Sequence, residues 1–173
     1  MKNIFFFIVN LFFLNTTFSQ VKLDVFDVVR KGNLKQIKEI FENNPKAILL
    51  INENGFSPLT LACYHNNYEA AKFLLEHQSN VNVSSPMGTP LMAAVVKGNV
   101  GITQLLLKNK ADVNSVDSNG TSALIYAAMF RSSELVQLLL SYNADKTHID
   151  NKGKTAFEYA VFSGDEKTIN LLK

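Results

Sequence analysis

The sequence predicts an all-α solenoid of about five stacked helix-pair units, joined by β-hairpin-type loops and capped at both ends. Three observations lead there. A helix-capping residue recurs every 32 to 34 residues, at Asn33, Asn67, Asn99, Ser132 and Asp165. An apolar pair follows each cap: Ile40-Phe41, Leu74-Leu75, Leu106-Leu107 and Leu139-Leu140, with Leu172 beside Lys173 in the fifth. Four turn glycines, Gly55, Gly88, Gly120 and Gly153, stand just before a second set of helix-opening residues. A fixed period of this length marks one supersecondary unit that stacks on copies of itself.

The chain opens differently. Lys2 gives a short basic start, and Ile4 to Leu14 form an apolar run of eleven residues broken only by Asn10. Thr17 and Ser19 supply the small residues that precede a cleavage site. A membrane-spanning helix needs about 20 apolar residues, so this run is short for an anchor. We expect a signal peptide over residues 1–19, cut after Ser19, and a domain over 20–173 that is periplasmic or secreted; an uncleaved anchor is the alternative. No cysteine lies near the cut, so a lipid anchor is not expected. The single Cys63 cannot close an internal disulfide, so stability must come from packing. Cys63 shares its place in the unit with Val95, Ala128 and Val161, and reads as a small core residue.

The units run about 23–53, 54–86, 87–118, 119–151 and 152–173. The first is the helix pair "VFDVVRKGNLKQIKEIFENNP", whose second helix Pro45 stops. In the next, Asn54-Gly55 is a turn, Ser57 caps a helix and Pro58 suits its first position. Leu59, Ala62 and Cys63 recur at helical spacing, and Asn67 opens a second helix carrying Ala71, Leu74 and Leu75. The third unit repeats this from Gly88 and Thr89-Pro90, with one residue missing after Gly88. The fourth follows from Gly120 and Ser122, and the fifth from Gly153 and Thr155, where Thr155 and Glu158 make a capping box. Charged outer residues suit both ends: Lys31, Lys35, Lys38 and Glu39 at one, Asp165, Glu166, Lys167 and Lys173 at the other.

These residues resemble the ankyrin repeat family, whose consensus reads roughly G-x-T-P-L-H-x-A-A-x-x-G, then L-L-L, then G-A-D-V-N. The nearest stretch is "GTPLMAAVVKGN" at 88–99 with "LLLKNKADVN" at 105–114, and the resemblance covers about residues 24–173. It implies L-shaped units whose loops project from a curved stack, with a concave face lined by loop tips and first helices. The chain departs from the family at several points. The histidine of T-P-L-H gives way to Thr60, Met92, Ile125 and Glu158, withdrawing the bonds it makes between loops. The glycine ending the second helix is replaced by Gln78, Lys110 and Asn143, and left-handed backbone there would strain Gln or Lys by about 1 kcal/mol. A stack of moderate stability is expected.

Composition narrows function. With 17 basic and 15 acidic residues the net charge is +2, which supplies no phosphate-neutralising surface for nucleic acid. His65, His77 and His148 fall at three different places in the unit, and the glycines are turn residues rather than a phosphate loop. Asp112 and Asp145 read as turn-bonding residues. No catalytic residue, cofactor or metal site is expected, and the protein is read as no enzyme.

The resemblance instead implies a monomer that binds a protein partner, with no membrane contact once the signal is cut. Its variable positions are the loop tips and the exposed ends of the first helices. The candidates here are Phe56, Tyr64, His65, Met87, Val96, Lys97, Met129, Phe130, Lys152, Lys154 and Phe162. Among them an apolar series recurs at the repeat period, led by Tyr64 and Phe130. Two readings of it stand: a strip that anchors a partner, or side chains that fold onto neighbouring repeats. The export signal, without lipid box or disulfides, has a bacterial style and suggests a Gram-negative periplasm. Narrower alternatives are an immunity- or inhibitor-type protein that covers an exported toxin or enzyme, and a periplasmic support factor for an oxidative-stress enzyme. The last rests only on the resemblance, since some periplasmic members are linked to catalase function.

Overall fold

The computed structural model describes residues 23–173. The expected signal peptide lies outside the described residues. Ten α-helices follow in order: α1 (Val25–Lys31), α2 (Leu34–Asn43), α3 (Pro58–Tyr64), α4 (Tyr68–Glu76), α5 (Pro90–Val96), α6 (Val100–Lys108), α7 (Ala123–Met129), α8 (Ser133–Ser141), α9 (Ala156–Ser163) and α10 (Glu166–Leu172). After α2, Pro45 does not merely stop the helix; it opens a 3-10 turn over Pro45–Leu49. Its fixed φ suits a helical first position, while its missing N–H cannot continue α2.

The helices form two layers. The odd-numbered ones stack α1 on α3 on α5 on α7 on α9, the even-numbered ones stack alongside, and each pair closes on itself. Small residues make the close approach possible. Ala62, Cys63, Ala94, Val95, Ala127 and Ala128 are fully buried between first helices. Behind them Leu74, Leu106 and Leu139 repeat the same buried place in the second helices, and Ile37, Ala71, Thr103 and Val136 repeat another one turn earlier. Burying each such leucine stabilises by roughly 2 kcal/mol, and a unit standing alone, without neighbours over its faces, gains less of it. Burial pushes the Cys63 thiol far above its ordinary range. A thiol that does not ionise is a packing residue and no nucleophile.

The first helices start as the sequence predicts. Ser57, Thr89, Ser122 and Thr155 each accept a hydrogen bond from the backbone N–H three residues on. The capping box at Thr155 and Glu158 is present on both sides. The second-helix caps divide. Asn33 and Asn99 cap with their side chains, but Asn67, Ser132 and Asp165 make no side-chain cap bond. Asn67 instead donates its Nδ2 to the carbonyls of Val29 (2.6 Å) and Arg30 (3.0 Å) at the end of α1. It satisfies open carbonyls of the preceding repeat rather than amides of its own helix. That reach needs Gly32: a Cβ there would stand 2.7 Å from the Asn67 side-chain oxygen.

Between units the loops are tied by asparagines. The Asn82 side-chain oxygen accepts from the Asp112 N–H, and that of Asn114 from the Asp145 N–H, both at 2.8 Å. Asp112 and Asp145 bond within their turns, the first accepting from Asn114 N–H and the second from Thr147 N–H. The loops hold single bridges, Ser85 with Gly88 and Val116 with Ser122, and no longer ladder among the described residues. Gln78, Lys110 and Asn143 are all left-handed, with φ of 64°, 65° and 63°. Asn66 and Arg131 are left-handed too, at the places where other units have Gly32, Gly98 and Gly164.

At the last unit the polar end cap is incomplete. Glu166, Lys167 and Asn170 on α10 are exposed as expected. On α9, however, Val161 is 51% and Phe162 87% exposed. Val161 therefore departs from the core reading of its column, because no further helix among the described residues packs over that side of α9.

Candidate functional site

Three loop tips and the ends of four first helices, α3, α5, α7 and α9, place the candidate residues. Each loop is organised by one residue at repeat spacing. The Asn52 side-chain oxygen accepts from the N–H groups of Asn54 and Phe56. Asp117 does the same for Asn119 and Thr121, and Asp150 for Lys152 and Lys154. A side chain that bonds its own following backbone fixes the turn locally. In the third unit Ser85 takes this role across a turn one residue shorter, donating to the Gly88 carbonyl at 2.7 Å.

The two acidic turn residues carry a second bond that the sequence reading did not anticipate. Tyr126 donates its hydroxyl to Asp117, and Tyr159 to Asp150, each at 2.6 Å. Burial would raise the Asp117 carboxyl, but bonds from Tyr126, Thr121 and Asn119 outweigh it and hold it below the ordinary carboxylate range. Asp150 is lowered in the same way, with burial opposed by Tyr159 and the Lys154 and Lys152 amides. Burial and the charged partner push Tyr126 up to about 12. The signal was visible: an aspartate nine residues ahead of a tyrosine, twice, 33 residues apart.

The column of those tyrosines decides the shape of the surface. Its members, from the first unit to the last, are Asp27, Leu61, Ala93, Tyr126 and Tyr159. Where the column is Leu61 and Ala93, a cavity of about 260 Å³ opens. Arg30, Asn54, Phe56, Thr60, Leu61, Tyr64, His65, Met87, Ala93 and Val96 line it. Two local features coincide with the opening: the small Ala93, and the shortened turn that leaves no counterpart of Phe56 in the third unit.

The candidates thus fall into two groups. Phe56, Tyr64, His65, Met87 and Val96 converge on the cavity. Lys97 joins them, its Nζ 4.7 Å from the centroid of the Tyr64 ring, a cation–π distance. Phe56 and Tyr64 are half-buried and pack against the core as well. Met129, Phe130 and Phe162 lie farther along the stack and stay exposed, at 39%, 54% and 87%. Phe130 stacks on Tyr126 with ring centroids 6.3 Å apart. The Lys154 Nζ lies 5.7 Å from the rings of both Tyr159 and Phe162. Lys152 is exposed at the tip of the last loop. The sequence reading missed Leu61 and Ala93, because it compared exposed helix ends and not the column one turn earlier; it missed Arg30, which shares the column of Tyr64 and Val96, because it began its comparison at the second unit.

The histidines serve separate purposes. His77 bonds the Phe73 carbonyl, His148 the Gly120 carbonyl, and His65 lines the cavity. Among the described residues no three His, Cys, Asp or Glu side chains gather in a way that could hold a metal ion. None of the described helices is long and apolar enough to cross a membrane.

This architecture defines a repeat protein of stacked helix pairs with ordered loops. The family model for ankyrin repeats (3 copies) matches residues 25–117 and again 91–173. The chain belongs to the ankyrin repeat family. It is similar to ankyrin repeat and SAM domain-containing protein 6 of Rattus norvegicus, 32% identical over 102 residues, which is 58% of this chain and 12% of that protein. A putative ankyrin repeat protein of fowlpox virus is 32% identical over 107 residues, 61% of this chain and 56% of the viral protein. Neurogenic locus notch homolog protein 1 of Mus musculus is 42% identical over 76 residues, 43% of this chain and 3% of its own length. The chain therefore spans from a few per cent to little more than half of these curated relatives, which are eukaryotic and viral. Ankyrin repeats are protein–protein interaction modules, and the family is typically non-enzymatic.

Proposed function

We propose that this chain is an exported, monomeric protein-binding module whose partner docks across the loop tips and first helices. The observation that carries the reading is the arrangement of that one face. It presents a cavity at one end and exposed Met129, Phe130 and Phe162 at the other, with Lys97 and Lys154 set against aromatic rings. Aromatic and methionine side chains are what partner-binding surfaces concentrate, and the two lysines here are held against rings rather than standing alone. A single scattered apolar residue would need no explanation, but a series at the repeat period does. Export rests on the basic start, apolar run and small residues of positions 1–19. After cleavage the module has no membrane contact, and its near-balanced charge gives nucleic acid little to bind.

A photo-crosslinking residue placed at Phe162 should capture a protein in the source cell. The same residue at Lys38, on the second-helix side, should capture far less. Equal capture from both positions would remove the assigned face. Export is read separately by N-terminal sequencing of the accumulated protein: a start at Gln20 supports it, and a retained Met1 in a soluble cytoplasmic pool overturns it.

A further inference from the structure

We infer that the cavity at Ala93 is a socket for one bulky apolar side chain presented by an acidic segment of the partner. This rests on the protein-binding reading of the same face and makes it specific.

Size comes first. At about 260 Å³ the cavity falls below the roughly 300–1,000 Å³ that whole small-molecule ligands occupy. It suits a single anchoring side chain of the kind that dominates binding energy at protein interfaces. Its floor and walls are apolar or aromatic: Phe56, Leu61, Tyr64, Met87, Ala93 and Val96.

Charge fixes the segment that carries the anchor. None of the lining residues is acidic, and Arg30 and His65 stand among them. Lys97 is held over the Tyr64 ring just outside. Arg30 is paired with Asp27 at 2.6 Å, and its side chain is still 36% exposed, so a partner carboxylate can share the guanidinium. A cationic rim around an apolar socket favours carboxylates beside the inserted side chain and repels lysine or arginine there.

The chain itself supplies the contrast. At the same column Tyr126 and Tyr159 occupy the space and bond Asp117 and Asp150. The socket opens where the column shrinks to Leu61 and Ala93. Ala93→Tyr should therefore fill it with a side chain the fold already accepts in two units.

The test titrates the full chain with blocked pentapeptides, followed by NMR of backbone amides and methyl groups. A central phenylalanine flanked by glutamates should shift Leu61, Ala93 and Val96. Replacing the phenylalanine by alanine, or the glutamates by lysines, should weaken binding roughly tenfold or more. Ala93→Tyr should abolish those shifts while melting within a few degrees of the parent. Met87→Glu, on an exposed turn outside the core, should weaken the acidic peptide and keep the fold. Unchanged binding in Ala93→Tyr, or a preference for the lysine-flanked peptide, would overturn the socket. So would self-association that Ala93→Tyr removes, which would make a second copy the occupant. Shifts confined to Met129, Phe130 and Phe162 would also overturn it, yet would leave the wider binding face standing. Loss of crosslinking from Phe162 strikes the face instead.

Discussion

Units two and three share a plan with units four and five, yet one column gives them opposite surfaces. In the fourth and fifth units Tyr126 and Tyr159 lean on the loop and lock it through a carboxylate. In the second and third, Leu61 and Ala93 leave the loop to be held by Asn52 or Ser85 alone, and a cavity opens. A repeat protein can therefore switch a place on its surface from filler to socket with one smaller side chain and one loop residue fewer, because the backbone around it is set by neighbours.

The most direct way to break that comparison is Tyr126→Ala. It imposes the third unit's residue on the fourth. The variant loses a half-buried ring, its stacking on Phe130, and the donor to Asp117. We expect a loss of about 2 kcal/mol, less than for a fully buried aromatic because the ring is only partly covered. Urea unfolding of the variant beside the parent measures it. A change under about 0.5 kcal/mol would mean the tyrosine is ornament and the two regions do not differ in how their loops are held.

Another difference between the halves lies in the turn after the second helix. Ser79 occupies the place that Ala111 and Ala144 hold in later units. Its hydroxyl is buried and has no hydrogen-bond partner. A buried hydroxyl without a partner costs free energy that an apolar group of similar size avoids. Ser79→Ala should raise stability by about 1 kcal/mol, read as a higher thermal midpoint. Ala144→Ser, the reverse change at a buried place in a later unit, should lower it. If both variants melt with the parent, the hydroxyl is satisfied by means the packing does not show.

The fold was legible because its signals repeat: capping residues, turn glycines and leucines recur at one period, so chance matches are filtered out. Local bonding was less so. Asn67 has the identity and position of a cap, but whether it serves its own helix depends on the neighbouring repeat, where Gly32 leaves room for it. The site was half legible. Phe56, Tyr64, His65, Met87 and Val96 can be named from exposed helix ends and loop tips, and five of them meet at one cavity. That they meet follows from what is missing, a small Ala93 and an absent loop residue, and absence carries no residue type to notice. Val161 misled for a different reason: its column is core only where another helix follows, and here it is 51% exposed.

The smallest expected effect concerns the tyrosine–aspartate locks themselves, and its sign can be worked out. The Asp150 carboxyl is held below its ordinary range, despite burial, by Tyr159 and two loop amides. A carboxyl lowered in the folded state stabilises fully above its unfolded value, about 3.9, and that stabilisation disappears as pH falls through the lower folded value. Tyr159 is raised, chiefly by the same bond, so its share is complete below about pH 10 and fades as pH climbs through the higher folded value. The lock thus adds stability across the middle of the pH range and withdraws it at both ends. Tyr159→Phe keeps the ring and removes the bond, and should cost about 0.5–1 kcal/mol at pH 7, toward the low end of bonds to charged groups because the ring is only half-buried. Its deficit against the parent should shrink below pH 4 and again above pH 10. Ala93 has no such partner, so Ala93→Gly should show a deficit that does not depend on pH. Parallel pH profiles for the parent and Tyr159→Phe would show that the bond contributes no linked stability, and the contrast between the two halves would then rest on packing alone.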